Sequence, residues 1–178
     1  KRLMDTLNLI LDLSKIEADR LNISQTECDA RDIVTESFNM FLSDVKKKNL
    51  NYELIKPPQR IAVIIDDRIF SHICTNLINN AVKFTTVGSI KVDINEIATI
   101  QGKSIILTVK DTGIGIAKKN QNLIFEEFRQ ESEGLGRNFE GTGLGLTVTK
   151  KFVEKLNGEI HLVSEPGVGT TFTVIIPN

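Results

Sequence analysis

Two glycine-punctuated segments constrain this chain more than any other feature: DTGIGI at Asp111–Ile116 and GTGLGL at Gly141–Leu146. The first follows directly on Ser104–Lys110, whose β-branched residues read as a strand. The second runs straight into Thr142–Leu156, which reads as a helix. Glycine lets the backbone approach a neighbour closely and take positive φ, and both are expected of Gly113 and Gly115. Glycines opening a helix leave free N–H groups and a partial positive charge, a combination that suits phosphate. The spacing is not the dinucleotide fingerprint that opens from a strand, and no Gly-Lys-Ser/Thr follows as in a phosphate loop. Taken singly, DTGIGI reads better as a strand-to-loop turn closed by an Asx hydrogen bond. GTGLGL alone reads equally as a helix start with no ligand.

The rest of the chain gives these segments a setting. Lys1 to about Leu21 has no Gly or Pro and spaces Leu3, Leu7, Ile10, Leu13 and Ile16 as a helix does. It lacks an N-cap, so it reads as cut from a longer helix or hairpin. Lys1 is no initiator Met, and the chain is expected to be a fragment of something longer. Ile23–Ala30 reads as a short strand and Asp32–Lys48 as a helix. Tyr52–Ile55 and Ile61–Ile65 are expected strands on either side of Pro57-Pro58. Asp66 begins a helix to about Phe84, and Ser89–Ile97 is a strand. Glu131–Glu140 is polar, holds Gly134 and Gly136, and reads as a mobile loop, part of a lid expected over Arg129–Glu140. Glu159–Val163 and Thr170–Ile176 close the chain as strands. Helices and strands interleave without a repeated strand–helix–strand unit. The expected class is therefore α+β, a two-layer sandwich with a mixed sheet covered on one face by helices.

A third segment adds chemistry. In NLINNAVKFT (Asn76–Thr85), Asn76 and Asn80 stand one helical turn apart and Lys83 three residues on, so all three share a face. Two amides and an ammonium make a seat for Mg²⁺ and phosphate, or simply a solvated polar face. The net charge of −1 argues against a general nucleic-acid or anionic-membrane binder. The two cysteines, Cys28 and Cys74, match no metal spacing and read as free thiols. No apolar run approaches the ~20 residues of a membrane span.

In their order, these segments resemble the ATP-binding domain of bacterial sensor histidine kinases, in the superfamily shared with gyrase, Hsp90 and MutL. NLINNAVKFT is similar to that family's N box, DTGIGI to its first glycine box and IFEEFRQ (Ile124–Gln130) to its F box. GTGLGL is similar to the second glycine box and GVGTTFTVIIP (Gly167–Pro177) to the closing strand. LDLSKIEADRL (Leu11–Leu21) resembles the end of the second helix of the dimerisation and phosphoacceptor hairpin. The resemblance thus divides the chain into a hairpin remnant, residues 1–21, and an ATP-binding domain, residues 23–178.

The resemblance implies roles residue by residue. Asn80 would coordinate Mg²⁺, with Asn76 beside it, and Lys83 would contact phosphate. Asp111 would accept from the adenine amine, and Gly115 would form the pocket floor. Arg129 and Arg137 would neutralise the terminal phosphates. Gly141, Gly143, Leu144 and Gly145 would wrap the triphosphate. Phe125 and Phe128 would anchor the closing loop, or merely pack. Gly113, Ile116, Thr142, Leu146 and Thr171 complete the expected nucleotide pocket. The cofactors implied are ATP and Mg²⁺. The partners implied are a phosphoacceptor histidine domain, a response-regulator receiver and a second copy through the hairpin. The implied location is cytoplasmic, with room for a membrane anchor outside these residues.

Three departures qualify the resemblance. Glu140 stands where glycine is common, His72 stands where Gln is usual, and the phosphoacceptor box is absent. His72 is followed by Ile73 and not by an acid, so it reads as a pocket-side or packing residue. His161 reads as a surface or sheet residue with no acid beside it. Asn76 occupies the position where hydrolytic relatives carry a glutamate base, and an amide cannot serve as one. The expected activity is transfer of the ATP γ-phosphate to a histidine outside these residues, and from there to a regulator aspartate. A nucleotide-binding scaffold without turnover and a hydrolytic ATPase are the alternatives.

Overall fold

The computed structural model describes residues 2–18, 20–99, 102–126 and 143–178. The expected lid, with Arg129 and Arg137, lies outside these residues, as do Phe128, Gly141 and Thr142. The first helix, α1, runs Arg2–Glu17; among its described side chains Leu13 and Ile16 are buried while Leu7, Ile10 and Leu11 are exposed. Strand β1 (Thr26–Asp29) leads into helix α2 (Ala30–Asn39), whose first turn is capped by the Asp29 carboxylate accepting from Arg31 N at 3.0 Å.

The helix expected over Asp32–Lys48 is in fact two. α2 ends at Asn39, and a second short helix, α3, covers Leu42–Lys47. No Gly or Pro marks the break. It arises because α2 packs on the long central helix α4 (Asp67–Phe84) while α3 packs on strand β2 (Asn51–Ile55). One straight helix cannot serve both surfaces. Phe38, at the end of α2, stacks on Tyr52 of β2 with ring centroids 3.7 Å apart.

The strands form separate sheets. β1 pairs antiparallel with β3 (Ala62–Ile65) as a small ribbon of its own, so β3 is no neighbour of β2. The main sheet adds β4 (Ser89–Thr99), β5 (Gly102–Asp111), β6 (Glu159–Glu165) and β7 (Gly169–Pro177). Its order is β2-β4-β5-β7-β6, with β2 parallel to β4 and the other neighbours antiparallel.

Alternation along the strands turns one face inward. Ile90, Val92 and Ile94 of β4, Ile105, Leu107 and Val109 of β5, and Phe172, Val174 and Ile176 of β7 are all buried. They meet Phe70, Ile73, Leu77 and Ile78 of α4, and Val148, Phe152 and Val153 of helix α5 (Gly145–Lys155). Each such side chain contributes roughly 1.5–3 kcal/mol on burial. Helices therefore cover one face of a mixed sheet, the α+β sandwich that the residue pattern predicts.

Candidate functional site

The site begins at the end of α4. Its N-terminus is fixed by Asp66, which is fully buried and accepts from Arg68 N and Ile69 N, each at 3.2 Å. The same carboxylate accepts from Ser24 N at 2.7 Å and from the Arg68 guanidinium at 2.9 Å. Burial pushes its pKa up, but the Arg68 side chain and the amides of Ser24 and Ile69 more than reverse this and hold it below the usual carboxylate range.

The other end of α4 must satisfy its last carbonyls. Lys48 Nζ donates to Val82 O at 2.5 Å and Thr85 O at 3.1 Å, placing a cation at the negative end of the helix. Ile114 N donates to Phe84 O at 3.3 Å, which ties the DTGIGI loop to the same helix end. A Cβ on Gly113 would strike the Phe84 carbonyl and the Asp111 carboxylate. Gly113 is required for this close approach and not for φ, since it is absent from the positive-φ glycines of the described chain.

Asp111 closes β5 with its carboxylate buried at 6 % exposure. Gly113 N donates to its Oδ1 at 2.8 Å, the Asx turn foreseen from the sequence, and Thr170 N donates as well. Burial outweighs these two donors and raises the Asp111 pKa above the usual carboxylate range.

Gly115 does take positive φ, at 69°, and a Cβ there would run into the backbone of Glu165 and Pro166. The glycine loop is thus pinned on the β6–β7 hairpin. Gly167 N donates to Ile114 O at 2.8 Å and Ile116 N to Ser164 Oγ at 2.8 Å. Gln121 Nε2 bridges Ile116 O and Ser164 O at 3.0 and 2.8 Å.

The sheet register separates two adjacent threonines. Thr170 stands opposite Asp111, and its side chain shares the inward phase of Phe172 and Val174. Thr171 stands opposite Lys110 and Val163 and points to the other face of the sheet. Thr170 thus shares the face of Asp111, and its hydroxyl lies 3.0 Å from Ser164 Oγ. Lys48, Ser164 and Gln121 carry no sequence signal.

Along α4, Asn80 and Lys83 are half-buried on the expected face. Lys83 Nζ lies 4.7 Å from the centroid of the Phe84 ring, and among the described residues it has no carboxylate partner. Burial lowers its pKa, a penalty that an arriving anion would offset. Asn76 turns to α5 instead: its Nδ2 donates to Thr149 Oγ1 at 2.6 Å.

At the start of α5, Gly143 takes φ 71° and the Leu144 side chain is buried in the core, so only backbone is on offer there. Leu146 and Ile116 pack partly buried against the core. Phe125 meets Phe172 edge to face at 6.4 Å, a packing anchor. A buried carboxylate acceptor, a cation with no carboxylate partner among the described residues and a glycine-opened helix start form a set of groups that fits a nucleotide.

Neither histidine joins this set. His72 contacts the Phe152 ring edge-on at 5.2 Å and lines a separate cavity of about 290 Å³ with Lys15, Arg20 and Arg68. His161 is exposed, but its Nε2 lies 3.1 Å from Glu159 Oε2, so an acid does stand beside it. Two residues apart on one strand, the pair shares a face.

The family of histidine kinase-, DNA gyrase B- and HSP90-like ATPases matches residues 65–178, more than half of the chain. The chain belongs to this family. Its ATPase fold accounts for the packing of α5 on α4 and of the DTGIGI loop on the end of α4. Relatives include the sensor histidine kinase RcsC of Escherichia coli, 36% identical over 98% of this chain and 18% of the relative. The autoinducer 2 sensor kinase/phosphatase LuxQ of Vibrio cholerae is 34% identical over 99% of this chain and 21% of the relative. The chain thus spans about a fifth of the length of these relatives. Among solved structures, full-length ShkA in complex with AMPPNP superposes with a TM-score of 0.85 at 24% identity, over 98% of this chain and 35% of that one. The catalytic domain of the histidine kinase ThkA gives 0.73 at 24% identity, over 86% of this chain and 95% of that one. These likenesses show the same fold.

Proposed function

We propose that this ATPase-family chain is the ATP-binding catalytic part of a sensor histidine kinase. It orients Mg²⁺-ATP and delivers the γ-phosphate to a histidine outside these residues, for onward transfer to a response-regulator aspartate. The observation that carries this reading is Asp111: a buried carboxylate held by Gly113 N and Thr170 N beside α4, offering an acceptor that suits the adenine amine. Asn80 and Lys83, one turn apart on α4, would take the phosphates, and the backbone N–H groups opening α5 would cradle them. Mg²⁺ held at Asn80 would supply charge neutralisation across the phosphates. Asn76 is an amide, and the described cleft offers no carboxylate to activate water at that position. Phosphoryl transfer would rest on positioning and charge neutralisation.

This reading places α1 as the end of a dimerisation hairpin. Its partners would be the phosphoacceptor domain, a receiver domain and a second copy of the chain, in the cytoplasm. No helix among the described residues is long and apolar enough to cross a membrane. The test is ATP turnover with and without an added phosphoacceptor hairpin. Phosphohistidine formed only with the hairpin is expected. Phosphate release without it would indicate a hydrolase instead.

A further inference from the structure

The cavity of about 290 Å³ beside His72 lies where the end of α1 and the segment after it meet α4 and α5. Its lining includes none of the residues assigned to the nucleotide. Lys15 and Arg20 line it from the α1 side, and Arg68 and His72 from α4. Leu21, Ile69 and Phe152 add an apolar wall, the last two buried in the core. Its size is at the lower end of small-molecule pockets.

The charge of this lining is one-sided. Among the described residues no carboxylate lines the cavity. Two acids close by in the chain are engaged elsewhere. Asp66 is fully buried and accepts from the Arg68 guanidinium at 2.9 Å, which offsets one of the three permanent cations. Glu17 accepts from Lys151 of α5 at 3.2 Å. Neither Lys15 nor Arg20 pairs with a carboxylate among the described residues. Lys15, Arg20 and Arg68 less Asp66 leave a balance of about +2 around one concavity, which focuses a field that favours an anion.

The lining also narrows the kind of anion. A phosphate monoester carries about −1.5 to −2 near neutral pH and offers three strong acceptor oxygens. It matches the charge, where a monocarboxylate would match half of it. Guanidinium groups meet phosphate oxygens in a paired geometry, and the Lys15 ammonium adds a point charge. The apolar wall suits the organic body of an ester, which inorganic phosphate lacks.

We propose that this cavity is a second ligand site, specific for a small phosphate monoester. The bound phosphate bridges Lys15 and Arg20 to Arg68 and ties the end of α1 to α4. The site stands independently of the ATP reading.

The test is titration of phenyl phosphate into the whole chain, followed by NMR amide shifts, with and without excess ADP to fill the nucleotide cleft. Saturable shifts at Leu21, Ile69 and His72 are expected, and they should persist in ADP. Inorganic phosphate should bind more weakly, and phenol should leave these amides unmoved. Lys15→Gln and Arg20→Gln should each weaken phenyl phosphate about three- to tenfold, between an exposed ion pair and a charge-assisted hydrogen bond to phosphate. Lys15→Arg should bind as the wild type does. Both side chains are exposed, so the variants are expected to melt with the wild type. Arg68 is kept because it holds Asp66. Amide exchange at the end of α1 should slow when phenyl phosphate is bound. Shifts that are absent, that ADP abolishes or that phenol reproduces would overturn the proposal. So would unchanged affinity in both glutamine variants, or unchanged exchange in α1.

Discussion

Asp111 is under two opposed demands, and they can be separated by experiment. Its burial raises its pKa, so keeping it ionised costs the fold. That cost is present above the folded-state pKa and fades as pH falls through it toward the ~3.9 of an unfolded chain. Asp111→Asn removes the buried charge, and its melting temperature at neutral pH is expected to hold or rise. Nucleotide binding is expected to move the other way. An amide cannot accept from Gly113 N, Thr170 N and the adenine amine together without one donor facing another, a mismatch of roughly 1–3 kcal/mol. ADP affinity should fall about ten- to hundredfold by calorimetry. The wild type should also prefer ADP to GDP, whose carbonyl would confront the carboxylate. A variant that melts far lower but binds normally would make Asp111 purely structural.

At the scale of elements, the ends of α4 and the glycine loop form one mechanical unit. Lys48→Met removes the ammonium from the last carbonyls of α4, at a cost of about 1 kcal/mol for a partly solvated helix-end charge. Because Ile114 N hangs on Phe84 O, amide exchange at Gly113–Ile116 should accelerate in this variant. A glycine pair checks the loop itself. Gly115→Ala must bear a left-handed φ, roughly 1–3 kcal/mol, and a collision with the Glu165 and Pro166 backbone. Gly167→Ala, with φ 78° and nothing within 4 Å of its Cβ, bears the dihedral alone. Thermal melts should rank Gly115→Ala clearly below Gly167→Ala.

The elements also show what a sequence can reveal. Asp66 as a cap, the periodicity of Asp67–Phe84 and the alternation in β4, β5 and β7 are local signals, and each marks its element. That Asn80 and Lys83 share a face of α4 and that Asp111 ends β5 was legible from helix and strand phase. The break at Met40-Phe41 was not, because it is imposed by two distant packing partners. The pairing of β1 with β3 in a ribbon of its own is likewise non-local, as is the hold of Lys48 on α4. Thr170 and Thr171 differ only in strand phase, which the run of threonines obscures.

Across the whole molecule, Asp66 joins the segment before β1 to α4 through Ser24 N. Its folded pKa is lowered, so the stability it supplies is present above the unfolded ~3.9 and is lost as pH falls through the folded value. Asp66→Asn is expected to lower stability at neutral pH by roughly 1–3 kcal/mol and to flatten the acid limb of a denaturation curve. Chemical denaturation at pH 7 and pH 3 checks both.

The register of β5 on β7 has a consequence for assembly. β4–β5 and β6–β7 are hairpins that close over short spans, but Asp111 and Thr170 come together across about sixty residues, the kind of loop whose closure is entropically slow. The acceptor proposed for adenine is therefore completed only when that seam zips. A nucleotide arriving there selects chains whose two hairpins have already met. It acts as a late staple, slowing unfolding more than it hastens folding.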